Sequence, residues 1–178
     1  MVLARPEAGE VSAPLQAGYI ARVPGEVDPA PALETQRERL LEQLRLVTEA
    51  SASHRYAPDK WSIKQVVGHL ADAERIFAYR LLRIARGDQT PLPGFEENAY
   101  VEAAAFDDAS FESLITEWTS VRAASITLVR GITEAAWSRL GTSNGAPISA
   151  RALLYLILGH TDHHRGVLED RYGVGRNR

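Results

Sequence analysis

Histidine is scarce in this chain, five residues in all, yet three of the five fall between His160 and His164. An imidazole can ligate a metal, move a proton near neutral pH, or sit in a core with its ring nitrogens hydrogen-bonded. Spacing helps to separate these uses. His160 and His164 stand four apart, and residues four apart on a helix share one face at about 5–6 Å. That suits two metal–nitrogen bonds of about 2.0–2.1 Å to a single ion. Thr161 and Asp162 follow His160, so the glutamate of the HExxH metalloprotease pattern is missing. Cysteine is absent altogether. Thiolate ligands, cysteine nucleophiles and disulfide scaffolds are excluded together, and thiol chemistry requires a thiol from outside.

Such a pair is useful only if its helix turns it inward. With Leu153 placed at 0° and about 100° per residue, Leu156, Ile157, Val167 and Leu168 fall at about 300°, 40°, 320° and 60°. His160 then lies at about 340° and His164 at about 20°, in the middle of that apolar stripe, while His163 lies at about 280°, on its edge. Two buried imidazoles each need a partner, and one ion serves both. The other histidine on a helical stretch is His69, beside an apolar arc and near that helix's middle. His69, His160 and His164 are therefore the candidate metal ligands, leaving one or more positions open, as reactive sites do. His163 is expected at the edge of the site and His54 in solvent.

Four helical stretches carry these residues. Leu33, Leu40, Leu41, Leu44 and Val47 recur at helical spacing from Leu33 to about Ser51. Ser62, with Gln65 three residues on, reads as a capping box opening a second helix that runs to Arg86 before Gly87. Phe111 to Arg130 forms the third, and Ser149 caps the fourth, which ends before Gly173. The connection from Asp88 to about Ala109 is long enough to suggest a functional loop. No stretch alternates with period two, so no sheet is expected. The expected fold is all-α: a four-helix bundle over residues 32–173 with a long connection between helices 2 and 3. A proline-rich extended arm, residues 1–31, lies on it, and residues 174–178, with Arg176 and Arg178, form a solvated tail.

Asp72, one turn beyond His69, is a candidate to orient that imidazole or act as a base, and so are Glu97 and Asn98 if the long loop folds over the site. For each, solvation at the surface is the competing reading. The 20 basic and 23 acidic residues give a net charge of −3, which offers no field for nucleic acid. No segment approaches the ~20 apolar residues of a membrane helix, and Glu7 and Glu10 interrupt any signal-peptide pattern. A cytoplasmic protein acting on a small molecule is expected.

Gly68-His69-Leu70-Ala71-Asp72-Ala73-Glu74, the Pro91-Leu92-Pro93-Gly94-Phe95-Glu96-Glu97-Asn98 loop, and Gly159-His160-Thr161-Asp162-His163-His164 together resemble the DinB-like superfamily. The resemblance runs from about Gly9 through Tyr172. It includes Tyr19-Ile20 and Val23-Pro24 in the arm and Lys60-Trp61-Ser62, and it departs at Leu15 and Gln16, where aromatic residues would stand. It implies a four-helix bundle with a three-histidine site for nickel or zinc, on the same His69, His160 and His164. It further implies a hydrolase or a thiol S-transferase with a low-molecular-weight thiol cosubstrate, and a homodimer. The alternative is a non-catalytic metal-binding module with a structural or interaction role, its site closed by a ligand from the Glu97 loop.

Overall fold

Proline and serine set where the helices begin. The structure, a computed structural model, describes residues 1–175. Helix α1 (Pro14–Ile20) and helix α2 (Pro29–Leu44) both open with proline in the first turn, where its missing N–H is an orphan in any case. Helix α4 (Ile63–Ala85) opens on the expected box, Ser62 Oγ accepting from Gln65 N at 3.1 Å and Gln65 Oε1 from Ser62 N at 3.0 Å. Ser110 and Ser149 cap α6 (Phe111–Arg130) and α7 (Ala150–Asp170). The one long first helix expected to Ser51 is instead broken: α2 stops at Leu44, and Thr48 caps a separate short helix α3 (Glu49–Ala52). The Thr48–Ser51 capping box satisfies the new helix end, and it outcompetes continuation of the apolar period.

Helix α4 contacts α6 and α7, and α2 contacts the same two, so α2 and α4 face one another across the bundle diagonal. The helices on either side of the long connection, α4 and α6, are thus direct neighbours. Their link is not a bare loop: it contains helix α5 (Glu97–Ala104) and a 3₁₀ turn, Phe106–Asp108.

Two expectations need correction. There is some sheet: β1 (Leu3–Ala4) pairs with β2 (Glu26–Val27), and β3 (Leu140–Ser143) with β4 (Ala146–Ser149), both antiparallel. The second pair is a hairpin turning on Asn144-Gly145, both at positive φ, the preferred two-residue turn. Four-residue strands are too short to show an alternation. Leu92 extends this hairpin, donating to Thr142 O and accepting from Asn144 N, each at 2.9 Å, which ties the long connection to the bundle. The arm, moreover, is not simply extended. It folds into a 3₁₀ turn (Ala8–Glu10) and α1, which lies on α7. Glu10 pairs with Arg151 and accepts from Ser149 Oγ, while Tyr155 Oη donates to Leu3 O at 2.8 Å.

At the other end, Val174 is buried and its carbonyl accepts from Gln43 Nε2 at 2.9 Å, so the tail's first residue belongs to the fold. Arg176 and Arg178 lie outside the described residues.

The apolar core falls into two clusters. Between them every bundle helix turns a buried polar side chain inward: Gln36 on α2, His69 and Glu74 on α4, Arg122 and Ser125 on α6, His160, Thr161 and His164 on α7. The bundle has a polar waist.

Candidate metal centre

His69 enters the waist from α4, and His160 and His164 from successive turns of α7. All three are buried. Their rings form a near-equilateral triangle, with centroids 5.0 Å apart for His69–His160 and His69–His164 and 4.6 Å for His160–His164. One ring nitrogen from each lies within 4.8 Å of the others, and this is the one such convergence of ligand side chains among the described residues. His69 Nε2 and His160 Nε2 are 3.1 Å apart. Two nitrogens each about 2.0–2.1 Å from a common ion stand roughly 2.8–3.4 Å apart between octahedral and tetrahedral angles. A hydrogen bond between two imidazoles has a similar length, but it leaves the third ring unexplained: His164 Nδ1 is buried with no hydrogen-bond partner.

Burial pushes all three imidazoles towards the neutral form. His69 is pushed down to about 4, and desolvation holds His160 and His164 well below the ordinary histidine range. Neutral rings keep a lone pair available, so protons do not compete with a metal at neutral pH. The donor set thus fits a borderline divalent ion such as zinc or nickel.

Glycine lets neighbouring segments close on two of these residues. A Cβ on Gly159 would lie 2.0 Å from the Tyr19 carbonyl oxygen, and one on Gly68 would lie 2.5 Å from the Phe106 ring. The Gly-His pairs at 68–69 and 159–160 therefore allow the arm and the turn after α5 to press against the helices beside their histidines. Tyr19 consequently meets His160 edge-on at 5.3 Å and His163 at 5.2 Å. Phe77 meets His160 at 5.4 Å, and Trp61 lies 4.8 Å from His69 and stacks over His164 at 6.4 Å.

The histidines open onto a cavity of about 240 Å³, also lined by Tyr19, Trp61, Phe77, Arg80, Phe95 and Glu97. Glu97, at the start of α5, is thus brought to the site, and it raises the Tyr19 phenol further above its ordinary range, an effect led by burial of the phenol. Asn98 lines an adjoining cavity of about 270 Å³ with Trp61, His163 and His164. His163 is half-buried between the two cavities, and His54 is exposed. Asp72 lies outside this cavity's lining. It pairs with Arg75 at 3.4 Å, and burial raises its carboxyl.

Sequence reasoning did not assign the aromatic wall to the site, nor the two buried arginines, Arg80 and Arg122. Arg122 donates to Glu74 Oε1 and Oε2 at 2.7 and 2.8 Å, to Gln36 Oε1 at 2.9 Å and to Thr161 Oγ1 at 3.0 Å. Its signal was an arginine four residues after Trp118 and three before Ser125, within the stripe that faces the core.

The fold is a helical bundle in which three converging neutral histidines, a group that could hold a metal ion, face an internal cavity. The chain belongs to the DinB superfamily, whose family profile matches residues 32–168. Among solved structures it is similar to YfiT from Bacillus subtilis, described as a probable metal-dependent hydrolase with an unusual four-helix bundle topology. That match has a TM-score of 0.71 and 20% identity, over 96% of this chain and 94% of that one. A mycothiol-dependent maleylpyruvate isomerase matches with a TM-score of 0.64 and 18% identity, over 77% of this chain and 58% of that one. A DinB-like protein from Bacillus cereus matches with a TM-score of 0.60 and 18% identity, over 83% and 95%. Direct comparison with curated proteins gives no match. At these identities the likenesses establish the fold.

Proposed function

We propose that His69, His160 and His164 hold one zinc or nickel ion and that the cavity before them is the pocket of a small-molecule enzyme, a hydrolase or a thiol S-transferase. The observation that carries this reading is the convergence of three buried, neutral imidazoles on a cavity rather than on a closed shell of protein ligands. A divalent ion supplies Lewis acidity, which makes water or an added thiol a competent nucleophile near neutral pH. Trp61 and Phe77 wall the rings off from bulk water and hold their orientation. Tyr19 keeps its proton on Oη at neutral pH, its phenol raised chiefly by burial, and can donate it as a hydrogen bond to bound substrate. Glu97, exposed at the cavity, is placed to act there as a base, and Asn98 to contribute from the neighbouring cavity. Asp72 acts at most through the α4 surface. With no cysteine in the chain, the thiol of a transferase reaction is a low-molecular-weight cosubstrate.

The rest of the reading is a cytoplasmic homodimer that uses neither membrane nor nucleic acid. Two facts support its last part: a net charge of −3, and, among the described residues, no helix long and apolar enough to cross a membrane. Because Glu97 lines the same cavity, a closed site completed by that carboxylate is the competing reading: a metal-stabilised module without catalysis. To decide, the zinc- or nickel-loaded protein is screened against small thiols with simple electrophiles, and against simple esters and amides. Turnover at least ~10-fold above the His160→Ala variant supports the enzyme. Loss of metal and a lower Tm in that variant, with no turnover by the loaded wild type, supports the module.

A further inference from the structure

Two arginines are buried in this molecule, Arg122 at 0% exposure and Arg80 at 4%. Arg122 has a carboxylate on its fork. Arg80 has none: among the described residues no acidic side chain pairs with it, and its one hydrogen bond runs from Nη2 to Pro93 O at 2.6 Å. Its guanidinium carbon otherwise stands 5.9 Å from the Phe77 ring centre and 5.8 Å from that of Phe95. Burial weakens its hold on its proton with no nearby carboxylate to offset the effect. A buried cation left without an anion carries a large desolvation penalty. Two ring contacts and one carbonyl offset only part of that.

The remaining donors of Arg80 are not locked in the core, because none is an inaccessible atom lacking a partner. They reach the space that Arg80 lines, and its position there is particular. It lies on the wall of the cavity holding His69, His160 and His164, one phenyl ring (Phe77) away from His160. It also lies on the wall of an adjoining, mainly apolar cavity of about 270 Å³ formed by Ile76, Tyr79, Leu92, Phe95 and Tyr100; the other cation on that wall, Arg75, is paired with Asp72 and Glu117. The cation therefore stands at the junction of the histidine cavity and an apolar chamber.

We propose that Arg80 is a specificity-determining residue that binds the carboxylate of a small substrate, with the substrate's apolar group in the chamber between Tyr79 and Tyr100 and its reacting end towards the histidines. This rests on reading the histidine cavity as the substrate pocket. A planar guanidinium fork matches a planar carboxylate. One free cation suits a single negative charge better than a phosphate dianion, which draws on several donors. Arg80 touches none of the reacting atoms; it selects and orients.

The test uses phenylacetate, its neutral analogue phenylacetamide, and inorganic phosphate, titrated calorimetrically into the full chain both metal-free and zinc-loaded. Wild-type protein is expected to bind phenylacetate at least ~10-fold more tightly than either of the others. Arg80→Gln is expected to lose at least ~10-fold for phenylacetate alone and to keep its metal equivalents. Arg80→Lys is expected to fall between. Should Arg80→Gln fail to fold, the acid–amide comparison on wild type and the Arg80→Lys titration decide. Equal binding of acid and amide, a preference for phosphate, or unchanged phenylacetate affinity in the folded variants overturns the proposal. The metal-free titration keeps its failure separate from that of the metal site, which metal retention reads independently.

Discussion

The polar waist has two halves that share helices α4 and α7, and they are finished differently. In one, Arg122 of α6 meets Glu74 of α4 in a two-pronged ion pair, and Gln36 and Thr161 take its other donors. In the other, His69 of α4 and His160 and His164 of α7 crowd together with one nitrogen–nitrogen contact and one orphaned Nδ1. Glu74 lies five residues after His69, and Thr161 directly follows His160. The two halves therefore share backbone and burial and differ in saturation. A saturated buried network fixes a core. An unsaturated one, made of metal-ligating side chains held neutral, is stable only at a cost that a ligand can remove. The contrast sets a saturated polar cluster apart from an unsaturated one without reference to any relative.

Breaking the saturated half is expected to do the greatest damage. Arg122→Met leaves Glu74 buried and uncompensated and is expected to cost about 3–5 kcal/mol. That is a Tm drop of roughly 6–20 °C for a chain of this size. A drop of less than about 2 °C in thermal unfolding would show that the pair does not organise the waist.

Acid is expected to act on the other half. With His69 at about 4 in the folded protein and about 6.5 unfolded, neither state binds the proton above pH ~6.5. As pH falls below that, the unfolded chain takes up a proton that the folded one refuses. Stability that is full above pH ~6.5 is lost progressively down to pH ~4, by about 3 kcal/mol from His69 alone; His160 and His164 shift in the same direction. Denaturant titrations of metal-free protein at pH 7 and pH 4.5 check this, and a flat profile would contradict it. Zinc bound at pH 7 should steepen the loss, because protons then displace metal as well.

Gly159→Ala tests how the arm is seated beside the histidines. The new methyl meets the Tyr19 carbonyl at 2.0 Å, and backbone has to move, at about 1–3 kcal/mol. The expected signature is a lower Tm together with weaker metal retention. A variant with wild-type values would mean that the α1–α7 contact does not shape the site. The smallest effect is reserved for His164→Met in metal-free protein. It removes a buried polar group that lacks a partner, so the change is expected within about 1 kcal/mol of zero, against several for Arg122→Met.

Much of this arrangement was legible in the chain because it is periodic. His160 and His164 share the stripe of Leu153, Leu156, Ile157, Val167 and Leu168, and serine caps mark three of the four bundle helices, so local rules located both ligands and scaffold. His69 followed from its place on a second amphipathic helix. What escaped was set by long-range pairing. Glu74 and Arg122 are charged residues that look solvated until α4 and α6 are brought together. Tyr19 reaches the site from the short helix α1 and Trp61 from the segment before α4, neither long enough to show an apolar period, and Arg80 is buried by a loop folded onto it. The hairpin escaped because its strands are four residues long, although Asn144-Gly145 was its signal. Asp72 was singled out by adjacency along the helix, and spatially it belongs with Arg75 and Glu117 on the outer face of α4.

The most direct test of the unsaturated half is metal retention. Protein loaded with Zn²⁺ or Ni²⁺ and then desalted should carry one equivalent per chain by elemental analysis, and folded His160→Ala protein should carry almost none. Wild-type protein retaining less than about half an equivalent, or the variant retaining as much as wild type, would contradict the assignment of His69, His160 and His164 as a metal centre.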